Sequence, residues 1–122
     1  MLVARLFSFE AAHRLPDHPG PCRELHGHSY RLRVVCRAPV DPRTGLAIDF
    51  GEIRDVVGAE VLDVLDHTLL NDVVPLPSAE NLAIWIWERL QAAGLPLHEV
   101  ELFETARCSV IYRGEGRDDP DG

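Results

Sequence analysis

From His28 to Arg37 the chain alternates with little interruption, His28, Tyr30, Leu32, Val34 and Cys36 on one side and Ser29, Arg31, Arg33 and Arg37 on the other. A period of two over that length dictates a half-buried β-strand with a polar outer face. The segment from Leu2 to Leu15 repeats the pattern, with Val3, Phe7, Phe9, Ala11 and His13 on one face. Between the two runs, Pro16 to Glu24 holds three prolines and a glycine and reads as an irregular loop carrying Cys22. An antiparallel pairing of the two strands is the simplest arrangement that returns His26 and His28 to the side of His13.

The rest of the chain switches period. After a turn at Asp41-Pro42-Arg43-Thr44-Gly45, Asp49 and Glu52 resemble a capping box, and Ile53, Val56, Val57, Val61, Val64 and Leu65 give the stripe of an amphipathic helix ending near Asp66-His67. A second helix is predicted from Ser78, with Leu82, Trp85, Ile86, Leu90 and Ala93 as its apolar stripe and Gly94 and Pro96 as its stop. Two final strands follow, one placing Val100, Leu102 and Glu104 on one face, the other Cys108, Val110 and Tyr112. The expected fold is α+β, an antiparallel four-stranded sheet with two helices on one face, in the order strand, strand, helix, helix, strand, strand. Exposed sheet edges make oligomerisation physically reasonable. A chain of 122 residues suits one domain, here 1–113, with an acidic tail over 114–122 expected to be disordered.

Composition narrows the function. A net charge of −8 argues against general affinity for nucleic-acid backbone. All twelve basic residues are arginine, and without lysine there is no Schiff-base chemistry, no P-loop lysine and no anchor for pyridoxal phosphate. No apolar run is long enough for a membrane span, and Met1-Leu2-Val3-Ala4-Arg5 alternates like a strand instead of opening a signal peptide, so a cytoplasmic location is expected. Three cysteines cannot pair fully, which argues against a disulfide framework.

The chemistry gathers around His13, Cys22, His26 and His28. In a strand, His26 and His28 face one side and can aim at one point, with Gly27 leaving room between them. Three imidazoles suit zinc and leave a fourth tetrahedral position for water or substrate, whereas a closed structural site would take Cys22 as fourth ligand. Read alone, a His-x-His pair also suits ordinary hydrogen-bonded histidines at a strand entry. Cys22 is equally an exposed loop thiol or, close to zinc or an imidazolium, a thiolate able to act as base. Asp66 before His67 would orient the imidazole for proton transfer, although a helix-end histidine is also favoured by the macrodipole. Glu104 either pairs with Arg107 or Arg113 or faces a ligand, accepting two N–H bonds from an amidine-like ring edge.

Together these segments resemble the 6-pyruvoyltetrahydropterin synthase superfamily: Phe9-Glu10-Ala11-Ala12-His13-Arg14-Leu15-Pro16, Cys22-x3-His26-Gly27-His28, Ile48-Asp49-Phe50, Leu65-Asp66-His67, Pro77-Ser78-Ala79-Glu80-Asn81-Leu82-Ala83 and Glu104-Thr105. The resemblance covers nearly the whole chain and implies the tunnelling fold, with its trimers paired into a homohexamer and active sites at subunit interfaces. It implies that His13, His26 and His28 bind Zn²⁺, that Cys22 is the general base, that Asp66 and His67 relay protons, and that Glu104 anchors the pterin ring and joins the relay. The short Cys-x3-His-Gly-His spacing and the ending Cys108-Ser109-Val110-Ile111-Tyr112-Arg113-Gly114-Glu115 are similar to bacterial 6-carboxy-5,6,7,8-tetrahydropterin synthases of the queuosine pathway. Those act on 7,8-dihydroneopterin triphosphate and release acetaldehyde and triphosphate. On that reading Cys22 takes a proton from the substrate side chain, whose oxygens the metal polarises, and Arg14, Arg23 and Arg54 are candidates to meet the triphosphate. The alternatives are 6-pyruvoyl synthesis with the side chain retained, and a non-catalytic, zinc-stabilised pterin-binding module. No nucleic-acid or membrane partner is expected.

Overall fold

A computed structural model describes residues 1–115; residues 116–122, most of the tail expected to be disordered, lie outside the described residues. Two long strands, β1 (Leu2–His13) and β2 (His26–Arg37), pair antiparallel over their whole length, with Leu2 opposite Arg37 and His13 opposite His26. Alternation decides the burial. Phe9, Ala11 and His13 of β1 and Tyr30, Leu32 and Val34 of β2 enter the core, while Glu10, Ser29 and Arg31 face out.

Helical structure begins at α1 (Phe50–Val57), capped by Asp49, whose side chain accepts from Gly51 N at 2.7 Å. It continues without a break through a π-helical segment (Gly58–Leu62) into a closing turn, α2 (Asp63–Leu65), so these three pieces form one rod. The π segment has a physical use. Residues four apart advance about 40° per step around an α-helix, so Ile53, Val57, Val61 and Leu65 would drift off one face, and a local underwinding brings them back. All four are fully buried.

The rod ends at Asp66, and β3 (Thr68–Leu69) then pairs parallel with Ala11 and Ala12 of β1. Helix α3 (Ala79–Ala92) starts at Ser78, whose Oγ accepts from Asn81 N at 3.1 Å. Strands β4 (Leu97–Phe103) and β5 (Ser109–Tyr112) close the sheet, whose order is β3-β1-β2-β4-β5. The helices and the inner sheet face share one core.

Two expectations need correction. The sheet has five strands in a mixed arrangement, not four antiparallel ones, because β3 is only two residues long and no periodicity can announce it. The aromatic anchor of α3 is Trp87, which packs edge-on against Tyr112 with centroids 5.6 Å apart, whereas Trp85 is only half-buried beneath the Arg89 guanidinium. Ala93, assigned to the stripe, is exposed. No described helix is long and apolar enough to cross a membrane.

Candidate metal centre and proton-transfer residues

The β1–β2 register builds the centre. His13 and His26 sit directly opposite each other, and His28, opposite Ala11, lies two residues along the same face. One ligand atom from each of the three histidines lies within 4.8 Å of the others, and among the described residues this cluster does not include the Cys22 thiol. His13 is completely buried. Its Nδ1 is 2.7 Å from the Pro77 carbonyl and its Nε2 is 3.0 Å from His26 Nε2. His26 Nδ1 in turn lies 2.8 Å from the Glu24 carbonyl.

A carbonyl can only accept, so both Nδ1 atoms carry the proton and donate it, which leaves both Nε2 lone pairs free and facing each other. His28 Nε2, also buried, has no hydrogen-bond partner among the described residues. It lies 3.3 Å from Glu104 Oε1. Three imidazole nitrogens turned inward, two of them oriented by carbonyls behind, are what a cation with a preference for nitrogen requires. The residues present therefore fit zinc. Burial holds the His28 imidazole below its ordinary pKa against the opposing pull of Glu104, so the neutral, ligating form is favoured.

Behind these rings stands Tyr30, fully buried and stacked on Phe9 with centroids 4.9 Å apart. Its hydroxyl is 3.4 Å from His13 Nδ1, and burial raises its pKa above the ordinary tyrosine value, so it stays a neutral hydroxyl. Cys22 occupies a short 3₁₀ turn (Pro21–Arg23) in the loop between β1 and β2, half-buried, with its carbonyl accepting from Leu15 N at 2.8 Å. Burial pushes the Cys36 thiol up to about 11, which makes it an inert core residue.

Asp66 and His67 sit at the other edge of β1. Asp66 Oδ1 accepts from Glu10 N at 2.9 Å and lies 3.0 Å from His67 Nδ1, while His67 N donates to Glu10 O at 2.6 Å. The Glu10 amide, with help from His67, holds the Asp66 carboxyl below its ordinary pKa. His67 has φ +58°, a left-handed conformation that breaks the helical path after Leu65 and turns the imidazole outward, with its side chain 78% exposed. It lines an open cleft of about 550 Å³ with Glu10, Gly27, His28, Ser29 and Thr68. Thus the chain gathers His13, His26, His28 and Glu104 in one place and holds Asp66 with His67 against Glu10 of β1, where His67 shares a cleft with His28.

Several supporting groups were invisible to sequence reasoning. The Pro77 and Glu24 carbonyls and the Glu10 backbone act through main-chain atoms, which leave no residue-type signature. Asn71 grips both backbone atoms of Arg14 at 3.0 Å, a side-chain-to-main-chain tie that no sequence pattern announces. Gly27 is not demanded by crowding within the chain, since an added Cβ would meet only the Ala11 carbonyl at 3.7 Å. Of the arginines considered for triphosphate, Arg54 pairs with Asp55 at 3.0 Å and Arg23 approaches Glu24 at 4.0 Å, both on the surface.

The sequence profile described as 6-pyruvoyl tetrahydropterin synthase matches residues 2–115. A 6-carboxy-5,6,7,8-tetrahydropterin synthase from Synechocystis sp. is 42% identical over 118 positions, covering 91% of this chain and 92% of that protein. The human 6-pyruvoyl tetrahydrobiopterin synthase is 32% identical over 133 positions, covering 93% and 91%. Among solved structures, 6-pyruvoyl tetrahydropterin synthase of Caenorhabditis elegans superposes with a TM-score of 0.87 at 30% identity, covering 94% of this chain and 96% of its own.

Proposed function

Because the chain belongs to the 6-pyruvoyl tetrahydropterin synthase family, we propose that it is a zinc-dependent 6-carboxy-5,6,7,8-tetrahydropterin synthase. It would convert 7,8-dihydroneopterin triphosphate and one water, which supplies the second carboxyl oxygen, to 6-carboxytetrahydropterin, acetaldehyde and triphosphate, on the route to queuosine and other 7-deazapurines. The observation that carries the choice is the 42% identity to the Synechocystis enzyme of that name. The alignment with the human 6-pyruvoyl enzyme runs to 133 positions, more than the 122 residues of this chain, so that relative carries segments this chain lacks.

In this reading His13, His26 and His28 hold the zinc, with their second nitrogens or neighbours fixing the rings. When bound, zinc supplies Lewis acidity toward the oxygens of the substrate side chain. Cys22 removes a proton from that side chain, and His67, oriented by the Asp66 carboxylate, returns a proton as triphosphate leaves and the carbon–carbon bond breaks. Glu104 accepts two N–H bonds from the pterin edge, and its position 3.3 Å from His28 Nε2 supports seating the ring beside the metal. Oxidation of the side chain and reduction of the ring balance internally, so no redox cofactor enters. On this reading a second copy of the chain completes the site, in a homohexamer, as the family resemblance implies.

A second reading, 6-pyruvoyl synthesis by the same residues, draws on the likeness to the Caenorhabditis elegans enzyme. Incubating the zinc-loaded protein with 7,8-dihydroneopterin triphosphate separates the two. Acetaldehyde and a 6-carboxypterin support the proposal. A 6-pyruvoyl product replaces it with the second reading, and zinc binding without turnover leaves a pterin-binding module.

A further inference from the structure

The segment Pro77-Ser78-Ala79-Glu80-Asn81 has no part in the chemistry above, yet it touches the metal centre. His13 is the fully buried ligand, and its Nδ1 lies 2.7 Å from the Pro77 carbonyl. A second polar atom near that nitrogen is the Tyr30 hydroxyl at 3.4 Å. The two neighbours have opposite effects. A carbonyl can only accept, so it keeps the proton on Nδ1 and the Nε2 lone pair directed at the cluster; a hydroxyl can donate to Nδ1, which would place the proton on Nε2 and block a metal. The position of one carbonyl therefore selects the tautomer.

Pro77 is itself buried and its ring fixes φ, and the backbone on either side of its carbonyl is tied by hydrogen bonds. Before it, Leu76 O accepts from Asn81 Nδ2 at 2.9 Å and from Ser78 N at 2.8 Å. After it, Ser78 Oγ accepts from Asn81 N at 3.1 Å and Ser78 O from Leu82 N at 2.9 Å. Asn81 is the residue bonded on both sides of Pro77. Leu76 is 55% exposed, so burial does not fix the turn at its side and the Asn81 amide does.

We propose that Asn81 is a positioning residue for the metal centre, acting through the Leu76–Ser78 turn and the Pro77 carbonyl on the tautomer of His13. The inference rests on His13, His26 and His28 being metal ligands. Loss of a group that orients a ligand typically weakens metal affinity about 10- to 100-fold.

The test measures Zn²⁺ affinity of the full chain by chelator competition, and the visible spectrum of its Co²⁺ form, in wild type, Asn81→Ala, Asn81→Asp and Asp49→Ala. Asn81→Asp is isosteric and sets an acceptor against the Leu76 carbonyl, so it should bind metal at least as weakly as Asn81→Ala, and it decides the matter if the alanine variant fails to fold. Asp49→Ala removes the cap of the other helix. It should lower the melting temperature and leave metal affinity and the Co²⁺ bands unchanged. Wild-type affinity in both Asn81 variants overturns the inference while leaving the ligand assignment intact. Affinity lost equally in Asp49→Ala overturns it too, because the effect would then be general destabilisation. A wild-type chain that binds neither metal overturns both the inference and the reading beneath it.

Discussion

Substituting His26 by alanine should separate the stability of the fold from that of the metal centre. In the metal-free protein, His26 Nε2 faces His13 Nε2 at 3.0 Å, and both rings donate their other proton to carbonyls. Two lone pairs so placed repel unless a cation lies between them. Removing His26 costs its bond to the Glu24 carbonyl, about 1 kcal/mol net for a hydrogen bond of this kind, and relieves the repulsion. The metal-free variant should therefore melt within about 3–5 °C of wild type, in either direction, for a domain of this size. Zinc changes the comparison. Free metal at about 100 times its dissociation constant stabilises a protein that binds it only when folded by about 2.7 kcal/mol. That corresponds to a rise of roughly 8–14 °C in wild type. With two imidazoles left, His26→Ala should show little of this rise at the same free zinc. Calorimetry in chelator-buffered zinc, with metal content measured on the dialysed protein, reads both quantities. An undiminished zinc-dependent rise, or a full zinc complement, in His26→Ala would refute the assignment of the ligands.

Three further outcomes are expected. Cys22→Ala should lower turnover by about 10²-fold or more while zinc content stays at the wild-type level, as loss of a general base requires; unchanged turnover with zinc bound contradicts the role given to Cys22. Without metal, burial sets His28 below 6.5 in the folded state, so the unfolded chain takes up its proton first, and stability is lost as pH falls from 6.5 through the lowered folded value. Melting curves of metal-free protein from pH 7.5 to 5 should be flatter for His28→Gln than for wild type, and a steeper fall would count against the burial argument. At His67, where φ is +58°, asparagine fits the left-handed backbone while valine should cost roughly 1–3 kcal/mol. Equal denaturant midpoints for His67→Asn and His67→Val would mean the conformation carries no strain.

The long elements were legible because each has many repeats of one period. Strand β2 alternates from His26 to Val34, before the irregularity at Val35–Cys36, and the i, i+4 series from Ile53 to Leu65 fixes a helical face. What escaped was short or made of main chain. Thr68–Leu69 offers two residues and no period, so the parallel edge strand was missed. Trp85 and Trp87 both stand at helical spacing from core residues, and only the arrival of Tyr112 from β5 decides that Trp87 is the one covered. The histidine cluster could be read because it depends on a side-chain spacing and one antiparallel pairing. Its carbonyl supports could not be read, since any residue type supplies a carbonyl.

Strand β1 carries both halves of the candidate chemistry: His13 looks into the core, and three residues earlier the Glu10 backbone grips Asp66 and His67 on the edge away from β2. This partition has a genetic consequence. If each working site takes its metal from one copy and its imidazole relay from another, a His13→Ala protein and a His67→Ala protein, each inactive alone, should restore activity when unfolded together and reassembled. Random assembly of an equal mixture makes about a quarter of such shared sites whole. A site contained within one chain would recover none.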